Sequence, residues 1–286
     1  MLRYLIVGGD LRSVELAKLL LLDQNSVSII GFTKDMIPDG VISASLEDIT
    51  KADIIIAPMV LSYDDKVINA PFSPSKIKIK DMLELIDHQV LFGGKVSDNV
   101  MNRIKMSGIK YVDMSKREEM AILNAIPTAE GAIQVAMEEM PITLHKSNCM
   151  VLGFGRIGKV LSRMLAGLGA NVYVMARKEK DLAWIFASGY NGLHPGELNK
   201  QLAHMDVIIN TVPSNILHRD LLIGLKNDVV IIDVSSKPYG VNADVAKSVG
   251  VEVKFLPGIP GRVAPKTCAK YQRDIIYNII VGGEVL

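Results

Sequence analysis

Apolar and polar residues follow two rhythms along this chain. Short runs rich in Val and Ile are separated by longer stretches in which apolar positions recur every three or four residues. The first rhythm is that of strands buried on both faces and the second that of amphipathic helices; their alternation predicts parallel sheets with crossover helices. In the first half the pattern predicts strands at Tyr4–Val7, Val27–Ile30, Asp53–Ala57, Gln89–Phe92 and Lys110–Val112. Helices are predicted at Leu11–Leu22, Lys80–Ile86, Asp98–Met106 and Lys116–Asn124. In the second half the strands fall at Cys149–Leu152, Asn171–Met175, Val207–Asn210, Val229–Val234 and Val251–Lys254. Between the halves, Pro127–Met140 opens with a Pro and a Thr and continues at helical spacing, which reads as an interdomain helix starting there.

The expected fold class is α/β, with two doubly wound parallel-sheet domains. Residues 1–125 are expected to form a flavodoxin-like substrate domain and residues 126–266 a Rossmann dinucleotide-binding domain, a length of 286 residues suiting two domains. The segment 267–286 reads as an amphipathic helix packing back on the first domain, which would leave a cleft between the halves.

Composition narrows the function. The 32 basic residues nearly cancel the 31 acidic ones, so no nucleic acid and no membrane surface is expected as partner. The five histidines lack metal-ligand spacing, so no metal is expected. The two cysteines, Cys149 and Cys268, form no CxxC; Cys149 opens an apolar run and reads as a small buried hydrophobe. The opening MLRYLIVGGD is too short an apolar run for a signal peptide and leads straight into a glycine turn. A reducing, cytoplasmic location and a homo-oligomeric state are the expectations.

Gly153-Phe-Gly155-Arg156-Ile157-Gly158 is a GxGxxG placed between a predicted strand and a predicted helix, with a second strand following. That context marks a dinucleotide fingerprint: Gly153 for the tight turn, Gly155 for backbone approach to the pyrophosphate, Gly158 for helix–strand packing. The diphosphate would rest on the amides and positive dipole end of the helix. The second strand ends in Ala176-Arg177-Lys178, where an NAD site carries a carboxylate. A guanidinium forks onto a 2′-phosphate, so the expected cofactor is NADP(H). Thr211, Val212, Pro213 and Ser235, in loops leaving later strands, are candidate walls for the nicotinamide ribose; ordinary polar loops are the alternative.

The stretch Leu256–Thr267 packs three prolines and two glycines with Arg262 and Lys266 and reads as a rigid loop ending at a helix capped by Thr267. A rigid cationic loop at a helix start suits carboxylates; a stapled domain connector is the alternative. Gly8-Gly9-Asp10 resembles half a fingerprint without its third glycine, and Asp10 is a candidate helix cap. Thr128 and Glu130 are candidates for the substrate side, with helix capping as the other reading.

Together these blocks resemble the A subunits of dipicolinate synthases from spore-forming bacteria. The matching segments are Gly8–Asp10, Asn124–Gly131, Leu152–Gly158, Ala176-Arg177, Asn210–Ser214, Asp233–Pro238 and Pro257–Thr267. NAIPTAEG and PGIPGRVAPKT are the specific ones. The resemblance implies oxidation of dihydrodipicolinate, a small dicarboxylate, to dipicolinate, in company with a flavoprotein-like B subunit during sporulation. Lys237 stands where that family commonly has arginine, Pro238-Tyr-Gly240 interrupts a more glycine-rich run, and Arg262 replaces an apolar residue.

On this reading the protein orients the nicotinamide and excludes water. Lys266, with Lys237 as second choice, holds the carboxylates, and no residue stands out as proton acceptor. A D-2-hydroxyacid dehydrogenase needs a histidine near the end of its nucleotide domain, and none occurs from Arg219 to Leu286. An alanine-dehydrogenase-like oxidoreductase and a regulatory NADP(H)-binding scaffold remain the alternatives.

Overall fold

The structure is a computed structural model that describes residues 1–283 and 285. Of the segment expected to pack back on the first domain, Glu284 and Leu286 lie outside the described residues. The chain divides into two compact units. One comprises Met1–Leu123 together with the segment from Ala264 onward, the other Asn124–Val263.

The first unit holds strands β1 (Arg3–Val7), β2 (Ser26–Ile30), β3 (Ile42–Ser43), β4 (Ile54–Ile56), β5 (Val90–Gly93) and β6 (Lys110–Asp113). All pairs are parallel, in the order β3-β2-β1-β4-β5-β6. Without the two-residue edge strand β3, which the hydrophobic pattern does not predict, the order is that of a flavodoxin-like sheet. Alternate residues of β1 serve two cores. Tyr4 and Ile6 pack under α1 (Leu11–Leu22) and the C-terminal helix, whereas Leu5 and Val7 face α2 (Ile79–Glu84) and α3 (Asp98–Met106).

Lys116–Asn124 and Pro127–Met140 are predicted as separate helices but form one, α4 (Glu118–Glu139), with Pro127 inside it. Proline removes one amide and is read as a helix start for that reason. Buried Ala125, Ala129, Ala132 and Ala136 on either side hold the helix against its neighbours. Thr128 therefore does not cap a helix start; its hydroxyl donates to the Asn124 carbonyl at 2.7 Å inside the helix.

The second unit holds β7 (Asn148–Leu152), β8 (Asn171–Met175), β9 (Asn191–Leu193), β10 (Val207–Asn210), β11 (Val230–Asp233) and β12 (Val253–Phe255). They pair in parallel in the order β12-β11-β10-β7-β8-β9, the Rossmann arrangement. β9 is a three-residue edge strand that the pattern also leaves unread. One face of the sheet is covered by α4, α5 (Arg156–Gly167) and α6 (Glu179–Ala187); the other is covered by α7 (Leu198–Leu202), α8 (Arg219–Ile223) and α9 (Ala243–Ser248).

The proline-rich segment is not a continuous loop. It contains α10 (Ile259–Val263), whose buried Ile259 packs so close to Gly131 that a Cβ there would lie 2.8 Å from it. The last helix, α11 (Pro265–Val281), starts at Pro265 with Ala264 at its cap position, so Thr267 is not the cap. Its Ile275, Ile276 and Ile279 are buried in the first unit's core.

Candidate dinucleotide site

β7 ends at Leu152, and Gly153 turns the chain with φ at +99°, a left-handed conformation that favours glycine. The turn is packed from behind: a Cβ on Gly153 would lie 2.6 Å from Val212, and one on Gly158 would lie 2.0 Å from the Gly153 carbonyl oxygen. Gly155 is different. It caps α5 in an extended conformation, and a Cβ there would meet nothing within 4 Å. The elbow is therefore closed on its protein side and open over Gly155, where the first turn of α5 presents its amides. No acidic residue stands in that turn to compete for them. This cradle fits a diphosphate.

β8 ends one residue before Ala176, which is buried; Arg177 and Lys178 follow, both exposed and without an ion pair among the described residues. Lys159, on the first turns of α5, places its ammonium 5.6 Å from the Phe154 ring centre. Arg156 is exposed in the first turn of α5 and Ile157 is half-buried beside it.

The loops beyond β10 and β11 are fixed by a network whose two key members open two of the family-matching segments, Asn210–Ser214 and Asp233–Pro238, although sequence alone gives neither of them a role. Asn210 and Asp233 are each the last residue of a strand and fully buried. Four donors converge on the Asp233 carboxylate: the Ser235 amide at 2.9 Å, the Ser235 hydroxyl at 2.7 Å, the Asn210 amide nitrogen at 3.0 Å and the Gly240 amide at 2.8 Å. Asn210 also donates to the Val212 carbonyl at 2.9 Å and accepts from the Val212 amide at 3.1 Å. Thr211 donates to the Leu152 carbonyl at 2.8 Å, tying the loop to the elbow itself. A Cβ on Gly240 would lie 2.1 Å from Asn210, so this tight packing also explains that glycine. The one available signal for the network was a polar residue closing each of two apolar strands. Thr211, Val212 and Ser235 are thus held beside the elbow, and Pro213 is exposed at the rim of the same loop.

The residues expected on the substrate side lie on different elements. Lys237 is exposed in the loop after β11 and Arg262 is exposed on α10, both in the second unit. Lys266 and Thr267 are exposed in the first turn of α11, in the first unit. Glu130 opens onto a groove that α4 shares with the C-terminal half of α5, away from the elbow at that helix's start.

In the first unit, Gly8-Gly9-Asp10 occupies the position that corresponds to the elbow but is filled by the chain itself. The Gly9 amide donates to the Asn69 carbonyl at 2.8 Å, and a Cβ on Gly8 would lie 3.0 Å from Ile68. Asp10 caps α1, accepting from the Arg12 amide at 3.0 Å and from its guanidinium at 2.8 and 2.7 Å. Burial opposes ionisation of Asp10, but the Arg12 guanidinium outweighs it and holds the carboxyl below its ordinary value. Cys149 is fully buried and burial pushes its thiol up to about 11, an inert packing residue. Among the described residues no group of His, Cys, Asp and Glu is arranged to hold a metal, and no helix is long and apolar enough to cross a membrane.

A Rossmann sheet with an open glycine elbow defines a nicotinamide-dinucleotide-binding unit of the dehydrogenase type. In agreement, residues 121–249 match the family described as D-isomer specific 2-hydroxyacid dehydrogenase, NAD binding domain, and residues 3–115 match the family of N-terminal domains of the dipicolinate synthase A subunit. The chain is 32% identical to the dipicolinate synthase A subunit of Bacillus subtilis over 284 residues, covering 98% of this chain and 96% of that one. The crystal structure of the corresponding protein from Bacillus halodurans superposes with a TM-score of 0.89 at 30% identity, covering 97% of each chain. This chain belongs to the family of dipicolinate synthase A subunits. An L-alanine dehydrogenase structure shares the fold at a TM-score of 0.65 and 15% identity, covering 97% of this chain and 90% of its own.

Proposed function

We propose that this chain oxidises dihydrodipicolinate to dipicolinate with NADP⁺, together with a B subunit, in the cytoplasm. The reading is carried by one coincidence. A chain similar over its full length to proteins named as dipicolinate synthase A subunits has an open glycine elbow, and beside it two cations unpaired among the described residues. Gly153, Gly155 and Gly158 with the first amides of α5 hold the diphosphate. Arg177 forks onto the 2′-phosphate and Lys178 adds charge, with Arg156 and Ile157 flanking the diphosphate. When bound, the nicotinamide supplies the ring carbon that accepts a hydride. Thr211, Val212, Pro213 and Ser235 wall the nicotinamide end, and Asn210 and Asp233 position them. Lys266, with Lys237 second, holds the carboxylates of the substrate; Arg262 and Thr267 add polar contacts. One hydride and one proton leave the dihydropyridine ring, and water accepts the proton, because aromatisation drives the step.

The test supplies purified chain with enzymatically generated dihydrodipicolinate and NADP⁺ and follows absorbance at 340 nm. Growth of the band with the B subunit present is the expected result; growth without it would show that this chain holds the chemistry by itself, and none even with it would overturn the proposal. The cofactor assignment has its own check. Arg177→Asp should weaken NADPH binding by about 10- to 100-fold, the loss of a charge-assisted fork turned into repulsion, and leave NADH binding nearly unchanged. Equal losses for both cofactors would refute it.

A further inference from the structure

Lys159 is exposed on α5, outside the face that packs on the sheet through Gly158, Leu161, Ser162 and Leu165. Its place is an unfavourable one for a cation. The free amides at a helix start form the positive end of the dipole, which favours acidic side chains and disfavours basic ones. α5 nevertheless carries Arg156 and Lys159 among its first four residues and no carboxylate anywhere along its 12. Lys159 itself forms no ion pair among the described residues. A cation set against the dipole, with no anion of the chain beside it, suits an anion from outside.

The geometry says where that anion lies. The Lys159 amide donates to the Gly155 carbonyl at 3.0 Å. Side chains on a helix lean back toward its N-terminus and cover the turn before their own. Lys159 follows that rule: its ammonium lies 5.6 Å from the centre of the Phe154 ring, beside Gly155. It therefore stands over the glycine turn, next to the residue whose missing Cβ leaves open space. A ring face holds an exposed cation weakly. It fixes the ammonium in place without neutralising its charge.

We propose that Lys159 is the counter-ion of the cofactor's diphosphate, with Phe154 as its positioning residue. The proposal rests on the dinucleotide reading given under Proposed function. The amides of α5 supply directional donors of partial charge, and the ammonium adds a full positive charge to the same anion. NADH and NADPH share the diphosphate, so Lys159 strengthens both alike. Selection between them is left to Arg177 at the 2′-phosphate.

Calorimetric titration with NADPH, NADH, ADP and adenosine 2′-monophosphate tests this division. Lys159→Gln should weaken the first three by the same factor, roughly tenfold for a lost charge-assisted contact. It should leave adenosine 2′-monophosphate, which has no diphosphate, unchanged. Lys159→Arg should keep most of the affinity, and Phe154→Leu should cost the same three ligands about two- to threefold. Binding to the Lys159→Gln variant should also depend less on salt than binding to the wild type. Urea denaturation of that variant should show no loss of stability, since the substitution removes a cation from a helix start. Undiminished binding of NADH, a loss confined to NADPH, an equal loss for adenosine 2′-monophosphate, or a destabilised variant would each overturn the proposal. A wild type that binds neither NADPH nor NADH would overturn the dinucleotide reading and this proposal with it, whereas a wild type that binds beside an indifferent Lys159→Gln would overturn this proposal alone.

Discussion

Gly155 and Gly158 are three residues apart and answer to different constraints. Gly158 lacks a side chain because the Gly153 carbonyl leaves no room for one; Gly155 faces open space in a backbone conformation that alanine adopts freely. Gly158→Ala should therefore destabilise the second unit by about 1–3 kcal/mol, the usual cost of overpacking, measured by urea denaturation. Gly155→Ala should leave stability within about 0.5 kcal/mol but weaken NADPH binding at least tenfold in a fluorescence titration. Reversed effects would mean that the diphosphate does not approach at Gly155. The packing role of Gly158 was legible in the sequence because the requirement is local to one turn. The Asp233 network was not legible, since its members come from two strands and the loop after them, and their pairing exists only once the sheet has formed.

Helix α1 illustrates how an element's start becomes sensitive to pH. Asp10 caps it and is held ionised by Arg12. A carboxyl depressed in the folded state adds stability above its ordinary value of 3.8 and loses it as pH falls through the folded value. Partial exposure of the pair limits this to about 1 kcal/mol. Asp10→Asn should thus cost about that much at pH 7 in urea denaturation, with the difference from wild type shrinking below pH 3.8. A cost independent of pH would show that only the cap hydrogen bond matters. At this scale the long strands and amphipathic helices followed from periodicity. The two-residue β3 and three-residue β9 did not, since β3 is too short to carry a period and β9 is Asn-Gly-Leu, with one apolar residue. α4 was divided in two because Pro127 carries a helix-start signal that tertiary packing overrides. α10 was hidden by prolines and glycines that read as loop, although Ile259 anchors a turn of helix among them.

Over the whole molecule, the two units repeat one strand order around different glycine turns. Sequence patterning conveyed the α/β class and the existence of two sheets, because a central strand of a parallel sheet is apolar whichever face it shows. The substrate side was the least legible part. Its candidates, Glu130, Lys237, Arg262 and Lys266, were chosen by charge and local loop chemistry, and they fall on four different elements.

The carbonyl of Asn69 has a stoichiometric consequence. By taking the Gly9 amide, it removes from the first sheet the donor that a phosphate would need, so the repeated architecture does not repeat the receptor. Calorimetric titration with NADPH should saturate at one equivalent per polypeptide. Asn69 acts through its backbone, so changing its side chain should not raise that ratio.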